Sequence, residues 1–387
     1  MAEPAPGHVY PTLPLVEELV RRGHRVSYVT GERLVPTVAS VGATALPLPH
    51  RPWPDLLTEF TAEVLSGILK RSIASARLDF PMLTTHFEHD RPDAVCYDSL
   101  SFIGRLLAHK LPVLDVALFT TLASNGKFLL KDQFEPESFD SQHPKLIESV
   151  QQLHTFATEH GPADSGRAWW EIASLNLVFL PKQFQIAAET FDERFHFLGP
   201  SLGLREHVEN WQPPKGAALI LFISLGTVFN QRPDFFRLCV QAFAEGSWQV
   251  VMAIGEEVNR KELGQIPVNF EVRSYFPQPT VLRHAHVFLS HAGPSSIMES
   301  LYYGVPLVMV PQTPEQQVNA CRTEELGLGR RLLTAQVTAE ILREAVAQVN
   351  ADPQIRTNAA RMRTTIHNCG GAALGADVIE AHLACRS

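Results

Sequence analysis

Reactive side chains gather around a stretch near residue 290. The apolar run Val287 to Ser290 ends in His291-Ala292-Gly293-Pro294-Ser295-Ser296. A helical pattern follows with Ile297, Met298 and Leu301, and carries Glu299. Gly304 closes that helix, a second apolar run spans Val305 to Val310, and Pro311-Gln312 starts a polar loop ending in Glu315-Gln316. In an open α/β sheet, ligands bind at the carboxyl ends of strands. A helix N-terminus at such a place offers N–H groups and a positive dipole end, which suit a phosphate. Ser295 and Ser296 add hydroxyl donors, and Gly293 lets backbone approach closely. The stretch predicts a diphosphate site with sugar-binding groups beside it, although an ordinary βαβ unit with a capped helix would carry the same pattern.

A second candidate centre lies near the amino end. Gly7-His8-Val9 sits just before a predicted helix, where a strand-to-helix turn would aim a side chain at a ligand. Imidazole changes charge near neutral pH, which makes His8 the natural general base. Asp98, at the end of a predicted strand, could accept the other ring N–H and hold the tautomer, the orienting logic of a His–Asp dyad; a strand-end Asp also commonly caps a turn. His291 and Thr227, after Leu225-Gly226, are candidate phosphate donors. Tyr275-Phe276-Pro277-Gln278 offers an aromatic face and a polar edge to a base ring. Glu299 is a candidate for ribose hydroxyls, or else an acid that stabilises its helix dipole. Glu315 and Gln316 are candidates for sugar hydroxyls.

These residues need two scaffolds. Helical period is predicted at Leu13 to Arg22, over 54–88 with Phe60, Val64, Ile68, Leu69 and Ile73 on one face, and at Phe102 to Lys110. Strands are predicted at Arg25 to Thr30, Ala43 to Leu48, Asp93 to Tyr97, Val113 to Leu118 and Asn176 to Leu180. Residues 124–170 show little clean periodicity and read either as the lining of a variable pocket or as a surface helical excursion, and Gly199 to Gly216 reads as a linker. The second half alternates again: strand Ala218 to Ser224, helix Pro233 to Phe243, strands Gln249 to Ile254 and Phe270 to Tyr275, then the stretch described first. Residues 338–350 and 353–383 are predicted helices. Alternation in both halves predicts two parallel-sheet α/β domains facing each other across a cleft. The expected boundaries are 1–200 for an acceptor-binding domain, 217–370 for a donor-binding domain and 371–387 for a C-terminal helix. A doubly wound domain also expects an apolar strand ahead of its first helix. Met1 to Pro6 supplies none, so either the sheet lacks its central strand or the chain begins past it.

Bulk properties bound the partners. The 387 residues suit two domains. A net charge of −8 gives no basic footprint for nucleic acid or an anionic membrane. No run approaches the ~18 apolar residues of a membrane helix, and the start lacks the basic and apolar regions of a signal peptide. Five scattered cysteines without a CxxC pair read as reduced thiols in a cytoplasmic protein. The 16 histidines include no HExxH and no tight cluster, so no metal is expected.

Taken together, GHVYPTLPLVEELVRRGHRVSY, YDS, SLGT, FPQ, SHAGPSSIMES, GVPLVMVPQ, EQ and ELGLG, in this order, resemble the nucleotide-sugar-dependent glycosyltransferases of the GT-B fold. The likeness is greatest to the bacterial macrolide glycosyltransferases, relatives of the plant and animal UDP-glycosyltransferases. It covers nearly the whole chain and implies two facing Rossmann-like domains, with the C-terminal helix packing back on the first. It also implies inverting, metal-independent transfer of a sugar, glucose foremost, from a UDP-sugar to the hydroxyl of a hydrophobic small molecule. By this resemblance His8 matches the catalytic base and Asp98 its partner. His291, Gly293, Ser295, Ser296 and Thr227 match the diphosphate site, Glu299 the ribose ligand, and Gln316 a sugar-hydroxyl ligand. Tyr275 and Gln278 frame the uracil, with Tyr275 where the family has tryptophan. Glu315-Gln316 replaces the usual Asp-Gln pair, one methylene longer. The acceptor walls would come from 50–90 and 120–170, where Phe119, Phe128, Phe134 and Trp169 suggest a large apolar partner. Two other readings share the donor site, a UDP-sugar 2-epimerase and a non-catalytic nucleotide-sugar-binding protein. A dehydrogenase is disfavoured because no GxGxxG follows a strand.

Overall fold

Every strand pair among the described residues is parallel, so each ladder step needs a crossover, and the intervening helices supply them. The computed structural model describes residues 1–49, 60–161, 172–206, 211–216, 219–227 and 230–385. The chain forms two units, Met1–Ser201 with Gly370–Ser387, and Leu202–Cys369.

In the first unit β1 (Ser27–Gly31) pairs with β2 (Thr44–Leu48), while β3 (Ala94–Asp98), β4 (Leu114–Phe119), β5 (Leu175–Val178) and β6 (Phe195–Phe197) lie in that order in a second sheet. Met1 and Ala2 stand between the two. The Met1 amine donates to the Cys96 carbonyl at 2.8 Å and the Asp98 N–H to the Met1 carbonyl at 3.0 Å, while the Ala2 N–H donates to the Val29 carbonyl at 3.3 Å. Two residues thus engage both sheets where a doubly wound domain has its central strand.

Helix Gly371–Ala384 folds onto this unit. Its Ala376 and Ile379 are buried with Leu15, Val116, Leu175, Leu177 and Leu198, each large apolar side chain contributing ~1.5–3 kcal/mol on burial. Gly375 permits the approach, because a Cβ there would lie 2.9 Å from Leu198 Cδ1 and 3.0 Å from Leu15 Cδ1. At the rim Arg22 reaches Glu18, Asp377 and Glu380 at 2.6–2.7 Å.

One expectation for this unit needs correction. Helix Ala62–His89 exists, but its buried positions are Ala62, Ser66, Ile73, Ala76, Asp79, Phe80, Leu83 and Phe87. Of the predicted face only Ile73 is buried; residues 54–59 lie outside the described residues. The segment 124–170 contains a 17-residue helix, Pro144–His160, the helical excursion its sequence left open. The two helices meet through buried serines, Ser66 Oγ and Ser149 Oγ being 2.7 Å apart, so polar residues occupy the face where an apolar period was sought. Trp169 lies outside the described residues. The helical segment 353–383 is parted into Pro353–His367, which belongs to the second unit, and Gly371–Ala384, near the expected start of the C-terminal helix, because Gly370 and Gly371 take φ of 86° and 55°, left-handed backbone that ends a helix.

In the second unit six strands, β7 (Leu219–Ser224), β8 (Trp248–Ala253), β9 (Phe270–Arg273), β10 (Val287–Ser290), β11 (Leu307–Met309) and β12 (Gly329–Arg331), lie in the order β12-β11-β10-β7-β8-β9. The winding direction reverses between β7 and β10. Such a reversal opens a crevice at the carboxyl ends of the two strands, where doubly wound sheets bind ligands. Phe222 and Phe288 stack across that pair, ring centroids 4.8 Å apart.

Candidate functional site

The amino-terminal centre is built by three segments of the first unit. His8 lies within a short helix, Pro6–Val9, rather than just before one, because Pro6 presets the helical φ and starts the turn early. Its Nδ1 faces Asp98 Oδ2 at 2.6 Å, with His8 27% and Asp98 1% exposed. Asp98 closes β3, and its other oxygen accepts the Leu100 N–H at 2.9 Å. An ionised carboxylate accepts only, so Nδ1 carries the proton and the ring's lone pair sits on Nε2. That is the tautomer a general base requires. Thr120 Oγ1, just past β4, is 3.4 Å from His8 Nδ1. Sequence reasoning missed Thr120, although a hydroxyl at the carboxyl end of a central strand is the available signal.

Glu3 was also missed. Burial, reinforced by Asp98, pushes its carboxyl from the ordinary 4.5 up to about 7, while His8 pulls the other way. A carboxyl whose folded value lies above its unfolded one adds stability that is complete below pH 4.5 and lost as pH rises through 7. Glu3 should therefore lower unfolding free energy by on the order of 3 kcal/mol across that window. Urea denaturation from pH 4 to 8 should show a flatter profile for Glu3→Gln, and greater stability than the parent at pH 8.

The second centre occupies the β7/β10 switch. His291 leaves β10, Ala292 takes φ of 65°, and Gly293 is the N-cap of helix Pro294–Tyr302. The N-cap glycine brings no side chain to this helix end, and Ser295 and Ser296 place their N–H groups and hydroxyls in the first turn, at an end of the kind that attracts anions. The His291 ring is clasped between two glycines: a Cβ on Gly226 would lie 2.6 Å from its Cε1, and one on Gly293 2.4 Å from its Nε2. Burial pushes the imidazole down to about 4, with the Ser224 backbone opposing. His291 is therefore neutral at pH 7 and carries a single ring N–H. Thr227 is exposed directly after Gly226.

Glu299 is buried on the same helix. Its Oε1 accepts Arg205 Nη1 at 2.7 Å, and its Oε2 accepts Gln278 Nε2 at 2.8 Å; the same Gln278 nitrogen is 3.5 Å from Ser296 Oγ. Gln278, Ser296 and Glu299 thus meet. Tyr275 follows β9 instead of ending it and is 59% exposed. Glu315 and Gln316 open helix Pro314–Glu325 and do not end a loop, because Thr313 caps the Gln316 N–H at 3.3 Å and Pro314 starts the turn. Gln316 Oε1 accepts the Gln312 N–H at 2.7 Å, which fixes the loop after β11. Arg205 was missed because it lies in the stretch read as linker, where nothing in the spacing marks it.

The segment 238–369 matches the family described as erythromycin biosynthesis protein CIII-like, C-terminal domain. The chain is 38% identical to the NDP-glycosyltransferase YjiC of Bacillus licheniformis over 98% of this chain and 96% of that protein. The chain belongs to the GT-B nucleotide-sugar-dependent glycosyltransferases. This glycosyltransferase is also 37% identical to the demethyllactenocin mycarosyltransferase of Streptomyces fradiae, over 97% of this chain and 84% of that one. Its fold matches the crystal structure of the calicheamicin glycosyltransferase CalG4 with a TM-score of 0.84 at 36% identity, covering 100% and 97% of the two chains. Among the described residues no helix is long and apolar enough to cross a membrane.

Proposed function

We propose that this glycosyltransferase moves a sugar, glucose foremost, from UDP to a hydroxyl of a large apolar natural product such as a macrolide or a phenol, with inversion and without metal, in the cytoplasm. The observation that carries the reading is the 2.6 Å contact between His8 and a buried Asp98. His8 Nε2 takes the acceptor proton as the oxygen attacks the anomeric carbon, and Asp98 stabilises the imidazolium that forms. The bond to the diphosphate breaks, and the leaving UDP carries the displaced electron pair. The helix start at 293–296, His291 and Thr227 act on that developing charge. Glu299 takes ribose hydroxyls, Tyr275 and Gln278 the uracil, and Glu315 and Gln316 the sugar hydroxyls. The similarity to a demethyllactenocin mycarosyltransferase supports a bulky acceptor.

The test is UDP-glucose with a panel of macrolides and hydroxylated aromatics, with and without EDTA, followed by mass spectrometry. Conjugates at equal rates in both series are expected. An epimerised UDP-sugar formed without acceptor, UDP binding with no turnover, or EDTA inhibition reversed by Mg²⁺ would each overturn its part of the reading.

A further inference from the structure

We propose that Arg205 is a positioning residue for Glu299 and sets how strongly the protein separates a ribonucleotide from a 2′-deoxyribonucleotide. The inference rests on Glu299 being the ribose ligand. Both carboxylate oxygens have a partner, but the partners differ in strength. Oε1 is held by a guanidinium at 2.7 Å and Oε2 by a neutral amide at 2.8 Å; both bonds end on the carboxylate, but only the first adds the attraction of an opposite charge. Each oxygen has two lone-pair sites, so one remains on each for a hydroxyl, and the Gln278 amide is the partner that yields more easily.

Arg205 is itself fastened. It belongs to the turn Gly203–Glu206, whose Glu206 accepts Tyr302 Oη at 3.1 Å through its side chain and Arg283 Nη2 at 2.5 Å through its carbonyl. Tyr302 ends the helix that carries Glu299, so donor and acceptor of the ion pair share one support. A planar, anchored guanidinium fixes the plane of the carboxylate it binds. The two hydroxyls of a ribose meet both oxygens together only when that plane is fixed. A 2′-deoxyribose presents one hydroxyl and needs no such registry.

Binding of UDP and dUDP to the full chain, measured by calorimetry, tests this. The parent should prefer UDP by about tenfold or more, the value of one hydrogen bond to a charged group. Arg205→Gln should bring the two nucleotides within about threefold by weakening UDP, with Arg205→Lys between. Glu206→Ala removes the Tyr302 bond that anchors this turn without touching Glu299, and should lower the preference part of the way by weakening UDP more than dUDP. Equal weakening of both nucleotides in Arg205→Gln or in Glu206→Ala would reduce Arg205 to a brace and overturn the inference. Glu299→Ala separates the two levels. If it removes the preference while Arg205→Gln does not, only the role of Arg205 falls. If it leaves the preference intact, the ribose assignment falls with it.

Discussion

Replacing His8 by alanine is expected to lower turnover by ~10²–10⁴, the usual share of a general base, while UDP binding stays within about twofold. The two effects separate because His8 belongs to the unit Met1–Ser201 and the residues assigned to the nucleotide belong to Leu202–Cys369. Asp98→Asn should fall nearly as far. An asparagine can present an N–H to Nδ1, which would then become the acceptor and leave the proton on Nε2, the wrong tautomer for a base. The double variant should be little worse than either single one, since groups that act as a unit are not additive. Steady-state kinetics with calorimetry of UDP binding decide this. Near-normal turnover in His8→Ala, or loss of UDP affinity matching the loss of rate, would remove the base assignment.

Gly293→Ala is expected to lower kcat/KM by ~10²–10³, the range seen when one donor to a developing oxyanion is lost. The substitution suits the question because Gly293 has φ of −63°, which alanine adopts without strain, so only space is at issue. The added methyl would sit 2.4 Å from His291 Nε2 and 3.3 Å from its Cδ2. The imidazole must move, and with it a proposed phosphate donor. Gly67→Ala is the control. Nothing lies within 4 Å of a Cβ there, and in the helix Ala62–His89 it should stabilise by about 0.5–1 kcal/mol with kinetics unchanged. Parental kcat/KM in Gly293→Ala would mean that His291 and the helix start are not donor-site groups.

How far the sequence spoke depended on whether a residue's partners were near it in the chain. Helices Phe102–Lys110 and Pro233–Phe243 and strand Val287–Ser290 fall where apolar period and strand-ending residues place them, because their burial is local and regular. The helices that pair through Ser66 and Ser149 were blurred, since a satisfied buried hydroxyl looks like surface in a hydropathy pattern. The chemistry-bearing residues were legible as types at strand exits. Their contacts were only partly so: the His8–Asp98 bond was legible across 90 residues, while the Arg205–Glu299 pair, 94 residues apart, was not. A strand end advertises Asp98, whereas nothing local advertises Arg205. Short β6 and β12, three residues each, carry too little pattern to stand out and exist because a neighbouring strand offers its free edge.

The central claim is that His8 removes a proton from the acceptor, and the dependence of its loss on acceptor acidity tests that most directly. Turnover of the parent and of His8→Ala would be compared across a series of phenols of falling pKa with one nucleotide-sugar donor. The account predicts that the penalty of the substitution shrinks steadily and nearly vanishes for phenols already ionised at the assay pH, which need no base. A penalty of the same size for every acceptor would contradict it.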